Sequence, residues 1–225
     1  MSTSILLLIV IGVAGLIVQL RLNSVFNKYS RVHFPGGFTG KDVAERMLRD
    51  HGIHDVKVIS TRGHLTDHYN PATRTVNLSE SVYSSASIAA AAVAAHECGH
   101  AVQHAYGYAP LRLRSALVPV IQISSSLSTW VIVLGILLIN SVPAIFWVGI
   151  AMIAASALFS LVTLPVEYNA SSRAIRWLEG SGVLNPEQMK GATVSLRWAA
   201  RTYLVAALSA IATLLYYLGF ARDND

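Results

Sequence analysis

The sequence predicts a mainly α integral membrane protein, with about four transmembrane helices and a small α+β segment outside the bilayer. Two observations carry that expectation: an apolar excess, and its confinement to blocks. Apolar residues make up 53% of the 225-residue chain and charged residues only 13%, against about 25% charged in an average soluble domain. Residues 21–116 read as ordinary soluble sequence, and the apolar blocks lie on either side of them.

A bilayer core of about 30 Å needs roughly 20 apolar residues in a helix. Ser4–Leu20, Leu117–Ile139, Pro143–Pro165 and the shorter Tyr203–Phe220 meet that need. The run Ser124-Ser125-Ser126 with Ser128 and Thr129 suggests that the second span is buried in a bundle, because small hydroxylated residues favour close helix packing. A cleaved signal peptide is the rival reading of residues 1–20. It needs a basic start and an A-x-A-like site, and no Lys or Arg precedes Arg21, so an uncleaved anchor is expected. Of the 17 Lys and Arg residues, eleven lie in 21–116 and five in 166–202, with only Arg222 beyond. The positive-inside rule then puts both basic segments in the cytoplasm and both termini outside. The net charge of +5 is spread along the chain and is read as a topology signal, not as a nucleic-acid patch. The single cysteine, Cys98, rules out an intramolecular disulfide framework.

The expected organisation is therefore an anchor at 1–20, a first soluble segment at 21–116, a membrane hairpin at 117–165, a second soluble segment at 166–202, and a last span with its tail at 203–225. Within the first segment, Phe34-Pro35-Gly36-Gly37 is a turn-rich break. Thr39 and Asp42 resemble a capping box opening an amphipathic helix with Val43, Met47 and Leu48 on its apolar face, stopped by Gly52. Val56–Ile59 and Thr75–Leu78 are strand-like, with a turn at Asn70–Thr73 between them, so a small hairpin or sheet is expected.

A helix capped by Ser84, Ser85 or Ser87 follows, from about Ile88 to His104, and carries His96-Glu97-Cys98-Gly99-His100. Histidines four apart project from one helical face toward a single ion. Glu97 lies beside them and can reach a water in the metal's open position without being a ligand, as a general base must. Two surface histidines would be the ordinary reading of such a pair. The small apolar neighbours Ala92–Ala95 and Ala101-Val102 argue instead for a buried helix, in which paired imidazoles and a carboxylate need a partner such as Zn2+.

The third ligand is less direct. His104 lies eight residues past His96, about 12 Å of rise and 80° of rotation away on a straight helix, so it cannot share the ion. Gln103 and Tyr106 exclude the metzincin pattern, which needs Gly and His there. All eight histidines lie at or before position 104. Among downstream acids, Glu179 and Glu187 read as solvated, and Asp223 and Asp225 lie in the tail. Glu167, just after Pro165, is either a first-turn acid favouring a helix dipole or the third ligand of a His-His-Glu set. Its position favours the ligand.

These features resemble a known group, the bacterial membrane neutral zinc metallopeptidases typified by YugP. The matching residues include Thr39-Gly40, Asp67–Pro71, Leu78-Ser79, Ser87–Ala90, Val93–Gln103, Glu167–Ser171 and Thr202-Tyr203, in order along nearly the whole chain. More distantly it is similar to the membrane peptidases that include HtpX and the CAAX prenyl protease, in which a Glu-x-x-Ala-Asp helix supplies a zinc-binding Glu. That likeness supports Glu167, with Ser171 in the Asp place. It also implies an oxyanion stabiliser: Arg173, Arg201 or Tyr203 downstream, or His64 or His68 upstream. Interfacial anchoring is the plain alternative for the downstream three. Related enzymes pair an extended peptide with a strand before the zinc helix, here near Thr75–Leu78.

The resemblance thus implies a zincin-like α+β cytoplasmic catalytic domain on a bacterial inner-membrane protein, acting on protein or peptide substrates. The bilayer is its other expected partner, nucleic acid is not one, and membrane-protein partners or a homo-oligomer are compatible with the sequence. An intramembrane site-2-type protease would need an Asp in a later span, and none of the six Asp residues lies in one. A zinc-binding scaffold or adaptor without activity is the alternative, and Glu97 argues against it, since a structural site has no use for an unligated acid.

Overall fold

The computed structural model describes residues 3–63 and 65–222. His64, Asp223 and Asp225 of the sequence argument therefore lie outside the described residues. The elements run α1 (Thr3–Tyr29), α2 (Gly40–Asp50), β1 (Lys57–Thr61), β2 (His68–Asn70), β3 (Thr75–Ser79), α3 (Glu80–Tyr83), α4 (Ile88–Ala105), α5 (Ala109–Leu137), α6 (Pro143–Gly180) and α7 (Pro186–Arg222). Helices α1, α5, α6 and α7 are long and apolar enough to cross a membrane. The chain divides into two compact units, one of residues 1–17, 112–165 and 202–225, the other of 18–111 and 166–201.

The first unit is helical and holds the apolar stretches. Phe146, Ile132 and Ile150 form its small core. Gly135 lets α5 meet α6 closely, since a Cβ there would lie 2.5 Å from the Phe146 Cα. Large apolar side chains such as Leu16, Trp130 and Leu137 point outward, the reverse of a water-soluble surface. Of the hydroxylated run in α5 only Ser124 is buried; Ser125 and Ser126 donate back to the Gln122 carbonyl and stay exposed. Serine satisfies itself along its own helix in that way, so the run does not mark a buried face.

The second unit is built around α4. Ser87 is its N-cap, the hydroxyl accepting from the Ala90 amide at 3.2 Å. The alanines of its first two turns are almost fully buried, small enough for α2 and the sheet to approach closely. Thr39 and Asp42 form a reciprocal capping box at the start of α2, whose Val43, Met47 and Leu48 pack into the same core as Val76, Leu78 and Ile88. The sheet order is β1-β3-β2, with β1 and β3 parallel and β2 and β3 antiparallel. The turn at residues 70–73 therefore joins β2 to β3, not β1 to β3. β3 is flanked on both sides along Thr75–Asn77, so over that stretch it has no edge to offer a peptide, whereas β2 keeps one edge unpaired among the described strands.

α6 also departs from expectation. It continues through Pro165 as one helix, so Glu167 sits mid-helix and the role of a first-turn acid does not apply to it. Proline costs one backbone hydrogen bond there, which membrane helices tolerate when neighbours satisfy the freed carbonyl.

Candidate metal centre

Four residues apart on α4, the imidazoles of His96 and His100 stand edge-to-face, ring centres 4.9 Å apart. Glu167 of α6 lies against both: its Oε2 is 3.1 Å from His96 Nε2 and 3.4 Å from His100 Nε2. All three residues are buried or nearly so. One donor atom from each falls within 4.8 Å of the others, an arrangement able to hold a metal ion. Tetrahedral zinc with bonds of about 2.0–2.1 Å separates its ligand atoms by about 3.3 Å, and the two nitrogen–oxygen distances bracket that figure.

The far nitrogens sharpen the fit. His100 Nδ1 is 3.0 Å from Gln103 Oε1. Gln103 is fully buried, and its Nε2 donates to the Val166 carbonyl at 2.8 Å and to Asn169 Oδ1 at 3.0 Å. That fixes Gln103 Oε1 as the acceptor and His100 Nδ1 as the donor, leaving a lone pair on Nε2 in the neutral ring. His96 Nδ1 is likewise 3.1 Å from the Ser171 hydroxyl, so Ser171 can orient His96 from the place an Asp takes in the Glu-x-x-Ala-Asp helix. The His100 Nε2 lone pair then confronts a buried carboxylate, and so does that of His96 when the Ser171 hydroxyl accepts from its Nδ1; acceptors so arranged repel unless a cation lies among them. The donor set fits zinc.

Helix packing sets these distances. A Cβ on Gly99 would meet the Ala170 carbonyl oxygen at 2.6 Å, so only glycine allows α4 this close to the turn of α6 that carries Glu167 and Ser171. Backbone cannot swing aside as a side chain can. Gly99→Ala is therefore expected to force the helices apart, lower the thermal midpoint by an amount equivalent to about 1–3 kcal/mol, and reduce bound metal; melting curves and elemental analysis of the purified variant check both.

Glu97 projects beside this cluster and is not part of it. Its carboxylate has no hydrogen-bond partner among the described residues. Burial above all, with the nearby charges of Glu167 and Asp67, pushes its pKa from 4.5 up to about 7, against the pull of His96 and His68. Between those values the folded chain binds more protons than the unfolded one. The metal-free protein is thus expected to lose stability as pH rises from 4.5 to about 7, by about 3 kcal/mol at most. Glu97→Gln, neutral throughout, should flatten that dependence. Melts of chelator-treated protein across the window check it, and equal slopes in the two proteins would contradict the assignment.

Comparison with known sequences decides the family. The profile of the family described as "Putative neutral zinc metallopeptidase" matches residues 4–222. The chain belongs to that family. It is also 42% identical over 200 residues, 89% of this chain and 88% of the relative, to the "Putative membrane protease YugP" of Bacillus subtilis (strain 168). No solved structure matches it. Zinc is the family's metal, and the His96–His100–Glu167 cluster is where this member of the family can hold one.

The other residues singled out in the sequence are dispersed. Arg173 Nε donates to Asn169 Oδ1 at 2.8 Å, joining the network that ends on His100 through Gln103, and its guanidinium lies 6.0 Å from the Tyr106 ring centre. Arg201 stacks on Trp198 at 4.1 Å. Tyr203 belongs to the other compact unit. His68 Nδ1 donates to the Thr66 carbonyl at 2.7 Å, and the ring lies close enough to influence Glu97. His104 is bonded to the Tyr69 hydroxyl, away from the cluster's hydrogen bonds. Gln103, Asn169 and Gly99 had no assigned role in the sequence reading. The signals for them were position (Gln103 three residues after His100, Asn169 two after Glu167, Gly99 inside the motif) and their place among the residues that match the resembled family.

Proposed function

We propose that the protein is a membrane-bound zinc-dependent endopeptidase with a gluzincin-like ligand set, His96, His100 and Glu167, and with Glu97 as general base. The observation that carries this reading is the convergence of two imidazole Nε2 atoms on the Glu167 carboxylate, with an unligated, partly protonatable carboxyl next to them on the same helix. When bound, zinc supplies a Lewis acid for the peptide carbonyl and acidifies a water in its open position. The chain's own residues do the rest. Glu97 takes the proton of the attacking water at its carboxylate as a C–O bond forms at the carbonyl carbon. It then delivers that proton to the amide nitrogen as the C–N bond breaks. Gln103 and Ser171 hold the imidazoles in the tautomer that presents Nε2. Arg173 is the better-supported candidate for the oxyanion, since it is tied to the network behind His100.

Substrate would lie along the free edge of β2 as an added strand, His68 at its start being close to Glu97. An apolar pocket of about 310 Å3 lined by Ala92, Val93, Phe26 and Leu196 opens one helical turn before His96 and Glu97. It would take a large aliphatic or aromatic side chain beside the scissile bond. The four apolar helices would place this site at the cytoplasmic face of a bacterial inner membrane, by the distribution of Lys and Arg.

The test is proteolysis of a casein-type substrate by detergent-purified protein. Activity should vanish on chelation and return with stoichiometric zinc. Zinc bound without any hydrolysis of a panel of unfolded substrates would favour the scaffold alternative.

A further inference from the structure

A second cleft, of about 610 Å3, lies between α6 and α7, and three arginines line it: Arg176 from α6, Arg197 and Arg201 from α7. Ser171, Ser172 and Tyr168 complete its polar wall, and no Asp or Glu lines it. Among the described residues none of the three arginines is in an ion pair. Like charges gathered without a counter-charge repel one another, so the arrangement is suited to an anion. Two of the three side chains are also pre-positioned. Arg176 Nε donates to the Ser172 carbonyl at 3.3 Å, and the Arg201 guanidinium lies over the Trp198 ring, 4.1 Å from its centre. Guanidinium groups held this way match phosphate oxygens, and less of their side-chain entropy is lost on binding.

Position in the sequence selects among phosphates. Arg201 lies two residues before the apolar stretch 203–220, and Tyr168 follows the apolar stretch 143–165 by three residues. Tyr168 and Trp198 are the residue types that settle at headgroup depth. We propose that this cleft binds the phosphate of an anionic phospholipid headgroup, a proposal that rests on α6 and α7 spanning a bilayer and not on the catalytic reading. Juxtamembrane basic residues gain about 1 kcal/mol each from an anionic leaflet, and a cleft that gathers three of them into one pocket converts that diffuse attraction into a defined site. Because Ser171 belongs both to this wall and to the hydrogen bond on His96, a seated headgroup would sit one side chain away from the metal centre.

Native mass spectrometry of full-length protein in neutral detergent tests it, with phosphatidylglycerol and phosphatidylcholine as probes. Wild type should retain phosphatidylglycerol preferentially. The triple variant Arg176→Gln, Arg197→Gln, Arg201→Gln should weaken retention about 10-fold. A control triple, Arg21→Gln, Lys28→Gln and Arg112→Gln, removes three charges outside the cleft, within eight residues of other apolar stretches, and should change it little. Equal losses in the two triples would reduce the effect to general surface attraction and overturn the proposal. So would full retention in the cleft variant. Competition by millimolar inorganic phosphate or by a peptide carboxylate would reassign the cleft to a soluble anion, also against it. Should the cleft variant fold poorly, cross-linking of wild type with a photoreactive phosphatidylglycerol decides. Label within 168–176 and 197–201 supports the site, and label elsewhere overturns it.

Discussion

Glu167→Ala is expected to leave the purified chain without stoichiometric zinc. The residue is almost wholly buried and its Oε2 meets both histidine nitrogens, so its removal takes away the anionic donor of the His96–His100–Glu167 cluster and leaves the two imidazoles. Loss of a residue that merely supports a ligand costs metal affinity roughly 10–100-fold; loss of the ligand itself should exceed that. Glu167→Gln separates coordination from packing, because it keeps the shape and removes the charge. Both variants should lose metal by elemental analysis, with Glu167→Gln retaining the wild-type helical content. Full retention of zinc in either would remove Glu167 from the site.

Glu97→Gln should do the opposite: keep zinc and lose hydrolysis. Gln has nearly the same volume and cannot accept the proton of the attacking water. General-base catalysis contributes typically 10²–10⁴-fold, so kcat should fall by about that factor while metal content stays at the wild-type level. Parallel elemental analysis and casein-type assays measure both. Wild-type activity in this variant would sink the role of Glu97, and loss of metal would mean that the residue supports the site instead of acting in it.

The two variants probe parts of the site that were legible to different degrees. The α4 half was readable because helical periodicity alone puts His96 and His100 on one face, and Ser87 stands three residues before the amide it caps. Likewise, Thr39 and Asp42 at i and i+3 announce the start of α2. The four apolar stretches were readable from composition, yet their ends were not, since each belongs to a longer helix and a proline at 165 looks like a stop. β2 escaped because Asp67-His68-Tyr69-Asn70 has no apolar alternation. Its role comes from pairing with β3, and that pairing covers the edge of β3 along Thr75–Asn77. The support around the metal was least legible of all. Gln103 reaches Val166 and Asn169, and Ser171 reaches His96, across 63 to 75 residues of sequence. No local pattern encodes such contacts, and Gly99 against Ala170 is visible only once the two helices cross.

The most direct measurement is an anomalous difference map at the zinc edge, from crystals of protein carrying one zinc per chain. The account predicts one dominant peak bonded, at about 2.0–2.2 Å, to His96 Nε2, His100 Nε2 and a Glu167 carboxylate oxygen, with Glu97 near it but outside bonding distance. A peak at any other place, or one with Glu97 among its ligands, would contradict it.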